Sequence, residues 1–310
     1  MRRFRFWFAG ALLVAIHLAA LGADLIAPYD YSTQFRDAAL EPPTARAPVR
    51  WLVRGSPRPF GPFVLETRLF QAEAPARLFL LGTDDSGRDT FSRLLYGARI
   101  SLFAGLLAAS LCVVLGFCLG TVAGFYGGRL DQVLMRCTEL FLALPWLYLL
   151  FAVRAVLPLE LGPGRVFLLF IVIVGAVGWA RPARLFRGVA AAARQQDFVL
   201  AARALGATDL QLMLRHVLPQ SKSVFWTQLA LLVPRFILAE VTLSFLGLGV
   251  SEPVPSWGNM LAAASGLSVL LSSVWTLAPA GALLLVVLCY QPLADGPRTG
   301  SPAGGSSLIA

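Results

Sequence analysis

The chain has 310 residues, 57% of them hydrophobic and only 14% charged, with a formal net charge of +9. A soluble domain carries about 25% charged residues, so a mean hydropathy of +0.71 excludes a single water-soluble core and makes the bilayer the natural solvent. The basic excess argues against nucleic acid, because Lys and Arg sit in clusters between apolar spans, the arrangement that fixes membrane topology.

Phe6–Ile26 follows Arg2, Arg3 and Arg5 and has the roughly 20 apolar residues that a spanning helix needs. A signal-peptide core is shorter, about 7–15 residues, so residues 1–27 are expected to be a retained transmembrane helix with its N-terminus in the cytoplasm. Ala27–Arg99 is polar and carries Pro28, Pro42, Pro43, Pro48, Pro57, Pro59, Pro62 and Pro75, which argue against long helices. Residues 28–95 are expected outside the cell membrane, since the positive-inside rule weakens in loops beyond about 60 residues.

Residues 96–292 read as a membrane core with five more spans. The second span, Ile100–Phe125, repeats Ala104, Ala108, Cys112, Gly116, Gly120 and Gly124 at every fourth position. Such a stripe lets another helix approach closely, so Gly116, Gly120 and Gly124 are candidate helix-packing residues. The third span is expected over Val133–Leu157, with Glu139 near its cytoplasmic end and a kink at Pro145; the fourth is Val166–Ala180. Then comes the densest basic region, with Arg181, Arg184, Arg187, Arg194, Arg203, Arg215 and Lys222. It is cytoplasmic by the positive-inside rule, and four spans from an inside start also end inside. Val224–Leu248 and Val274–Pro292 are the fifth and sixth spans. Gly249–Ser273 between them lacks Lys and Arg and is placed outside. The C-terminus returns to the cytoplasm, and the Gly/Pro/Ser-rich tail 293–310 is expected to be disordered. No internal repeat stands out.

The four cysteines, Cys112, Cys118, Cys137 and Cys289, form no CxxC pair, and with only His17 and His216 there is no metal-ligand set. Asp84, Asp85, Ser86 and Gly87 hint at a calcium loop, but Arg88 and Leu95 fall where an EF-hand needs an oxygen ligand and a Glu. An ordered turn with Arg88 paired to an acid is the better reading. The only lysine, Lys222, follows Ser221 and not the Gly of a P-loop. An ATPase would therefore be a separate partner; no cofactor and no catalytic residue is expected in this chain.

Asp197–Pro219 reads DFVLAARALGATDLQLMLRHVLP. Asp197 is a candidate N-cap, with Phe198, Ala201, Ala202 and Leu205 on one face. Gly206 suits the left-handed residue that ends a helix. Thr208 and Gln211 suit a capping box for a second helix with Leu210, Met213, Leu214 and Val217 on one face, limited by Pro219. This helix–Gly–helix element suits either the lipid surface or a soluble motor.

The element resembles the EAA loop of ABC-importer permeases, whose short helix docks on the ATP-binding subunit. Ala201, Ala202, Gly206, Leu218 and Pro219 match that motif, while Leu200 stands where the family has Glu. LGTDDSGRDTFSRLLYGARISL (Leu81–Leu102), AGFYGGRLDQVLMR (Ala123–Arg136), LSFLGLGV (Leu243–Val250) and PSWGNML (Pro255–Leu261) are similar to the C-type inner-membrane subunit of the dipeptide/oligopeptide/nickel group. The ending YQPLADGPRTG departs from the family's.

The resemblance implies an all-α polytopic membrane protein with the six-helix, type I importer fold. It implies a second permease subunit as heterodimer partner, two ABC ATP-binding subunits and an extracytoplasmic solute-binding protein, with di- or oligopeptides carried by alternating access. Nickel or another small solute is the alternative cargo. An ion-coupled secondary transporter, which would usually show internal repeats, and a non-transporting scaffold are the rival classes. Arg235 and Glu240, five apart in the fifth span, do not share a helical face well. Intramembrane ionisable residues are functional candidates, and each either makes a structural polar contact or lines the translocation path.

Overall fold

A computed structural model describes residues 2–44, 48–60, 63–73, 75–145, 148, 151–152 and 162–295. In lipid a chain must satisfy its own backbone polar groups, which a helix does within one segment, and the apolar runs are helical. The first is α1 (Arg2–Leu21), followed by the short α2 (Ala23–Ile26). Ala9, Leu13 and Ala20 of α1 are buried, whereas Phe4, Trp7, Phe8, Val14 and Leu18 are exposed, so one stripe packs on the protein and the rest presents an apolar face suited to lipid.

The polar stretch that follows contains strands as well as turns. β1 (Val49–Phe60) and β2 (Phe63–Ala72) form an antiparallel hairpin, pairing Val49 with Ala72 and Phe60 with Phe63, with an irregularity between Arg54 and Arg58. Pro57 falls inside that irregularity, where a residue without an N–H does no harm to the ladder. The prolines thus exclude helix here without excluding strand.

α3 (Thr90–Tyr126) has 37 residues and is therefore about 55 Å long, well beyond the roughly 30 Å hydrocarbon core. It begins at Thr90 and not at Ile100, because the buried Asp89 caps it: the carboxylate accepts from the Ser92 N–H at 2.8 Å. α3 is the hub of the bundle and packs against α1 and most of the later helices. Its Leu102, Ala108, Cys112 and Val113 join Phe186, Val233, Phe236 and Ile237 in the main core.

α4 (Gly128–Ala143) covers the first part of the expected third span. It ends before Pro145: Leu144 is extended (φ −77°, ψ 129°), as the residue before a proline is driven to be, and the kink expected there falls against residues outside those described. Most of the remainder of Val133–Leu157 lies outside the described residues. α5 (Pro163–Gly178) and α6 (Ala180–Arg194) meet at a bend of 44°. The fourth span expected to stop at Ala180 thus continues as helix to Arg194, and Arg181, Arg184 and Arg187 lie on helix and not in a loop.

The chain continues through α7 (Asp197–Ala204), α8 (Asp209–Leu212), a π-helical turn at Met213–Val217 and α9 (Leu218–Gln220) into α10 (Lys222–Phe245). Beyond α10, the outer return carries α11 (Trp257–Ala263) and α12 (Leu267–Ser272), then a 3₁₀ turn at Val274–Leu277 leads into α13 (Ala278–Asp295). α13 runs past the expected end at Pro292; residues 296–310 of the expected tail lie outside the described residues. Among the described residues, four helical segments are long and apolar enough to cross a membrane, Arg3–Leu21, Thr90–Tyr126, Lys222–Phe245 and Val274–Asp295, and the bent α5–α6 pair adds a fifth when taken as one span.

Candidate functional site

The segment 197–219 folds as two linked helical pieces. α7 is preceded by Gln196 as its N-cap, and Asp197 is the first helical residue instead of the cap; there its carboxylate still faces the positive end of the helix dipole. At the other end Gly206 has φ +88°. Its N–H donates to Arg203 O at 3.0 Å and the Ala207 N–H donates to Ala202 O at 3.1 Å, the paired closure of a helix that ends on a left-handed glycine. Thr208 then starts α8 with a capping box: its hydroxyl accepts from the Gln211 N–H and the Gln211 side chain accepts from the Thr208 N–H at 2.9 Å. Arg203 and Asp209 pair across the turn at 3.0 Å.

The buried face differs from the one expected. Val199, Leu212 and Val217 pack with Phe125, Ala190 and Ala193, and Ala202 and Ala207 lean on that cluster. Leu212 and Val217 are five apart, about 140° apart on a regular α-helix. The π turn between them, in which the Leu218 N–H donates to Met213 O, brings both inward. Pro219 does not limit the helix; the wider turn before it accommodates a residue without an N–H. Phe198, Leu200, Leu205, Leu210 and Leu214 are left exposed, Leu205 at 89%. Ala201, Gly206 and Pro219 are exposed too, with Ala202 and Leu218 half-buried. The result is an apolar outer surface on a capped, locally braced element that the core holds from beneath.

Above it runs the seam between α3 and α6. Gly116, Gly120 and Gly124 are buried there. A Cβ at Gly116 would lie 2.6 Å from Pro182 Cβ and 2.9 Å from Trp179 O, and one at Gly120 or Gly124 would collide with the carbonyl oxygens of Ala183 or Arg187. At the C-terminal end of α3, Arg187 donates to both carboxylate oxygens of Asp131 at 2.9 and 2.6 Å, and the Arg194 guanidinium donates to Phe125 O at 2.9 Å. Arg184 donates to the Thr138 hydroxyl at 2.9 Å.

The two ionisable residues of the fifth span have opposite surroundings. Glu240 is buried: one carboxylate oxygen accepts from the Ser244 hydroxyl at 2.6 Å, the other has no hydrogen-bond partner among the described residues, and the hydroxyls of Ser101 and Ser256 lie alongside. Arg235 is exposed and lines a cavity of about 270 Å³ together with Arg181, Phe141, Pro145, Gly178 and Phe236. The charge map treats Arg181 only as a topology marker. Its position two residues after Trp179, hard against an apolar run, is the signal that marks it out.

The end of the bundle at the start of α3 carries a third group. Asp84 binds Arg88 at 2.7 Å and approaches Arg93 at 3.5 Å, and Glu252 binds Arg88 at 2.6 Å and Arg93 at 2.8 Å. Arg88 is therefore paired as the sequence indicates; burial pulls its pKa down, but Asp84 and Glu252 more than offset this and hold it above the usual value. Sequence reasoning missed Glu252, although it is the only charged residue of Gly249–Ser273. Trp257 ties the outer return to α3, its N–H donating to the Ser101 hydroxyl and its ring N–H to Leu94 O, both at 3.1 Å.

A bundle of long apolar helices with a capped helix pair between two of them marks an integral membrane protein. A family profile described as "Binding-protein-dependent transport system inner membrane component" matches residues 116–294, and one described as "N-terminal TM domain of oligopeptide transport permease C" matches residues 1–43. The chain is 33% identical to the "Oligopeptide transport system permease protein OppC" of Bacillus subtilis over 289 residues, covering 93% of this chain and 81% of that protein. It is 36% identical to the "Di/tripeptide transport system permease protein DppC" of Pseudomonas aeruginosa over 287 residues, 92% of this chain and 84% of that one. With the "Dipeptide transport system permease protein DppC" of Haemophilus influenzae it shares 32% identity over 303 residues, 94% and 92% of the two chains. The chain belongs to the family of binding-protein-dependent transport system inner membrane components. It is a membrane-embedded ABC-importer permease subunit, and proteins of this family work with ATPase subunits and a binding protein.

Proposed function

We propose that this chain carries di- or oligopeptides across the membrane as one half of a heterodimeric translocation path. A second permease subunit supplies the other half, two cytoplasmic ATP-binding subunits drive it, and an extracytoplasmic binding protein delivers the cargo. Both termini are cytoplasmic. Residues 1–27 anchor the chain, 28–95 form the outer segment, 96–292 the permease core, and 293–310 a tail. Gly116, Gly120 and Gly124 set the α3–α6 approach, and Arg235 lines the path. Relatives named as peptide permeases over nearly the whole chain support the cargo.

The observation that carries the coupling role is the apolar surface of Phe198, Leu200, Leu205, Leu210 and Leu214 on a capped element braced from beneath. A motor subunit that moves this surface moves α3 and α6 through Phe125, Ala190 and Ala193. Ala201, Ala202, Gly206, Leu218 and Pro219 form its frame. Leu200, exposed at the family's acidic position, replaces a polar contact with an apolar one.

The test is uptake of labelled peptides into vesicles holding all subunits, with ATP inside the compartment that faces the ATPases. Peptide uptake that persists without the ATPase subunits would remove the coupling role. Gly206→Pro should leave the complex assembled and sharply reduce substrate-stimulated ATP hydrolysis, because a proline cannot adopt the φ of +88° found there. Unchanged stimulation would exclude this segment from coupling.

A further inference from the structure

We propose that the cavity where α4, the α5–α6 bend and α10 meet is a carboxylate subsite, in which Arg181 and Arg235 receive the anionic end of the transported peptide. This rests on the peptide-import reading above and adds to it a place and a chemistry for recognition inside the membrane.

Four observations lead there. First, the cavity of about 270 Å³ has apolar walls, including Phe141, Leu144, Pro145 and Phe236, and two guanidinium groups. Second, neither Arg181 nor Arg235 has a hydrogen-bond or ion-pair partner among the described residues, whereas Arg88, Arg93, Arg99 and Arg187 are all paired. Arg235 instead feels Arg181 as a like charge. Two guanidinium groups lining one cavity with apolar walls favour an anionic group over a cationic one there.

Third, depth selects the anion. Arg235 lies thirteen residues into α10 from Lys222, roughly 20 Å along the helix axis. That is farther from the inner interface than an arginine side chain reaches, so it does not snorkel there. A lipid phosphate sits at the interface, whereas a carboxylate on a solute in transit passes this level. Fourth, a planar guanidinium binds a carboxylate with two parallel N–H donors, so a peptide's C-terminus fits the pair better than its ammonium end, which both arginines repel. The cavity lies beside two helix breaks: α4 stops at Ala143 and the fourth span bends by 44° between Gly178 and Ala180.

The experiment uses the complete transporter with its binding protein, reconstituted in phosphatidylcholine vesicles. ATP-driven uptake of labelled trialanine and of trialanine amide is measured for wild type, Arg235→Gln, Arg235→Lys and Arg181→Gln. The binding protein is the same throughout, so any change in the acid-to-amide ratio belongs to this chain. Arg235→Gln should lower uptake of the free acid about tenfold, the scale of one charge-assisted hydrogen bond, and change uptake of the amide less than about twofold. Arg181→Gln should act in the same direction, and Arg235→Lys should fall between, because it keeps the charge and loses the fork. Co-purification of the ATPase subunits checks that each variant assembles, and if Arg235→Gln does not, Arg181→Gln and Arg235→Lys decide. An acid-to-amide ratio identical in wild type and variants overturns the subsite while leaving peptide import intact. Uptake that instead depends on added phosphatidylglycerol, with the ratio unmoved, assigns the two arginines to an anionic lipid. Wild-type vesicles that import neither peptide overturn the peptide reading and the subsite with it.

Discussion

Two pairs of arginines in this chain share one chemistry and have opposite surroundings. At the outer end, Arg88 and Arg93 are almost wholly buried, and Asp84 and Glu252 close on them from two separate loops. Between α6 and α10, Arg181 and Arg235 are exposed to one cavity and meet no carboxylate among the described residues. A buried charge that is paired and hydrogen-bonded holds its surroundings in one arrangement. A charge at membrane depth that faces an open space is kept for something that arrives. The first pair locks the loop before α3 to the return before α11, and the second lines a space between helices.

The largest effect should come from opening the outer pair. Asp84 accepts from the Ser86 and Arg88 N–H groups at 3.0 and 2.8 Å as well as from the Arg88 side chain. Asp84→Asn keeps the turn and removes the charge. Breaking a fully buried pair destabilises by about 3–5 kcal/mol; because the Glu252 side chain is 44% exposed and still faces both arginines, about 2–3 kcal/mol is expected here. Unfolding of the detergent-purified complex measures it, and Glu252→Gln in the same background should be non-additive, since the two acids share both partners. Strict additivity would mean that the four residues do not act as one cluster.

The spans at α1, α3, α10 and α13 are legible because lipid imposes one requirement, a long apolar run, and composition carries it directly. The capping box at Thr208 and the left-handed Gly206 were readable for a similar reason: each rests on residues no more than three or four apart. What the sequence hid depends on a partner far along the chain or on a change of period. The hairpin Val49–Ala72 is obscured by its prolines, which a two-stranded ladder tolerates at an irregularity or where the N–H would face away from the partner strand. The inner face of 209–217 was misassigned because a five-residue turn breaks the 3.6-residue period. Arg93 and Glu252 are 159 positions apart, and nothing local to either announces the other. The glycine stripe at 116, 120 and 124 indicates close packing, but that the neighbour is α6 follows only from the continuation of the fourth span beyond Ala180.

A smaller effect at the outer end separates burial from pairing. Asp89 caps α3 within the same region, yet one of its carboxylate oxygens has no partner among the described residues, and burial pushes its pKa up from 3.8 to about 6. A carboxyl whose folded pKa is raised contributes stability that is fully present below its unfolded pKa and is lost as pH rises through the folded one. Asp89 should therefore weaken the fold progressively between about pH 4 and about pH 6. Asn is as good an N-cap as Asp, so Asp89→Asn should raise stability near pH 7 by about 1–3 kcal/mol and make little difference near pH 4. Thermal unfolding at the two pH values tests this, and a variant less stable than wild type near pH 7 would show that the charged carboxylate is needed for the cap.

The smallest effect is the one that gives the comparison its meaning. If Arg181 and Arg235 held the bundle together as Arg88 and Arg93 hold the outer loops, replacing either would leave a carboxylate stranded and lower stability. No such partner faces them among the described residues, and each repels the other. Arg181→Gln and Arg235→Gln should therefore shift the unfolding free energy by less than about 0.5 kcal/mol, the range of substitutions that break no specific contact. Arg93→Gln, which strips two acids of a partner, is the control that should lower stability in the same assay. A loss of stability in Arg235→Gln as large as that in Arg93→Gln would place Arg235 among the structural arginines, and the cavity would then be a gap beside a structural contact instead of a site.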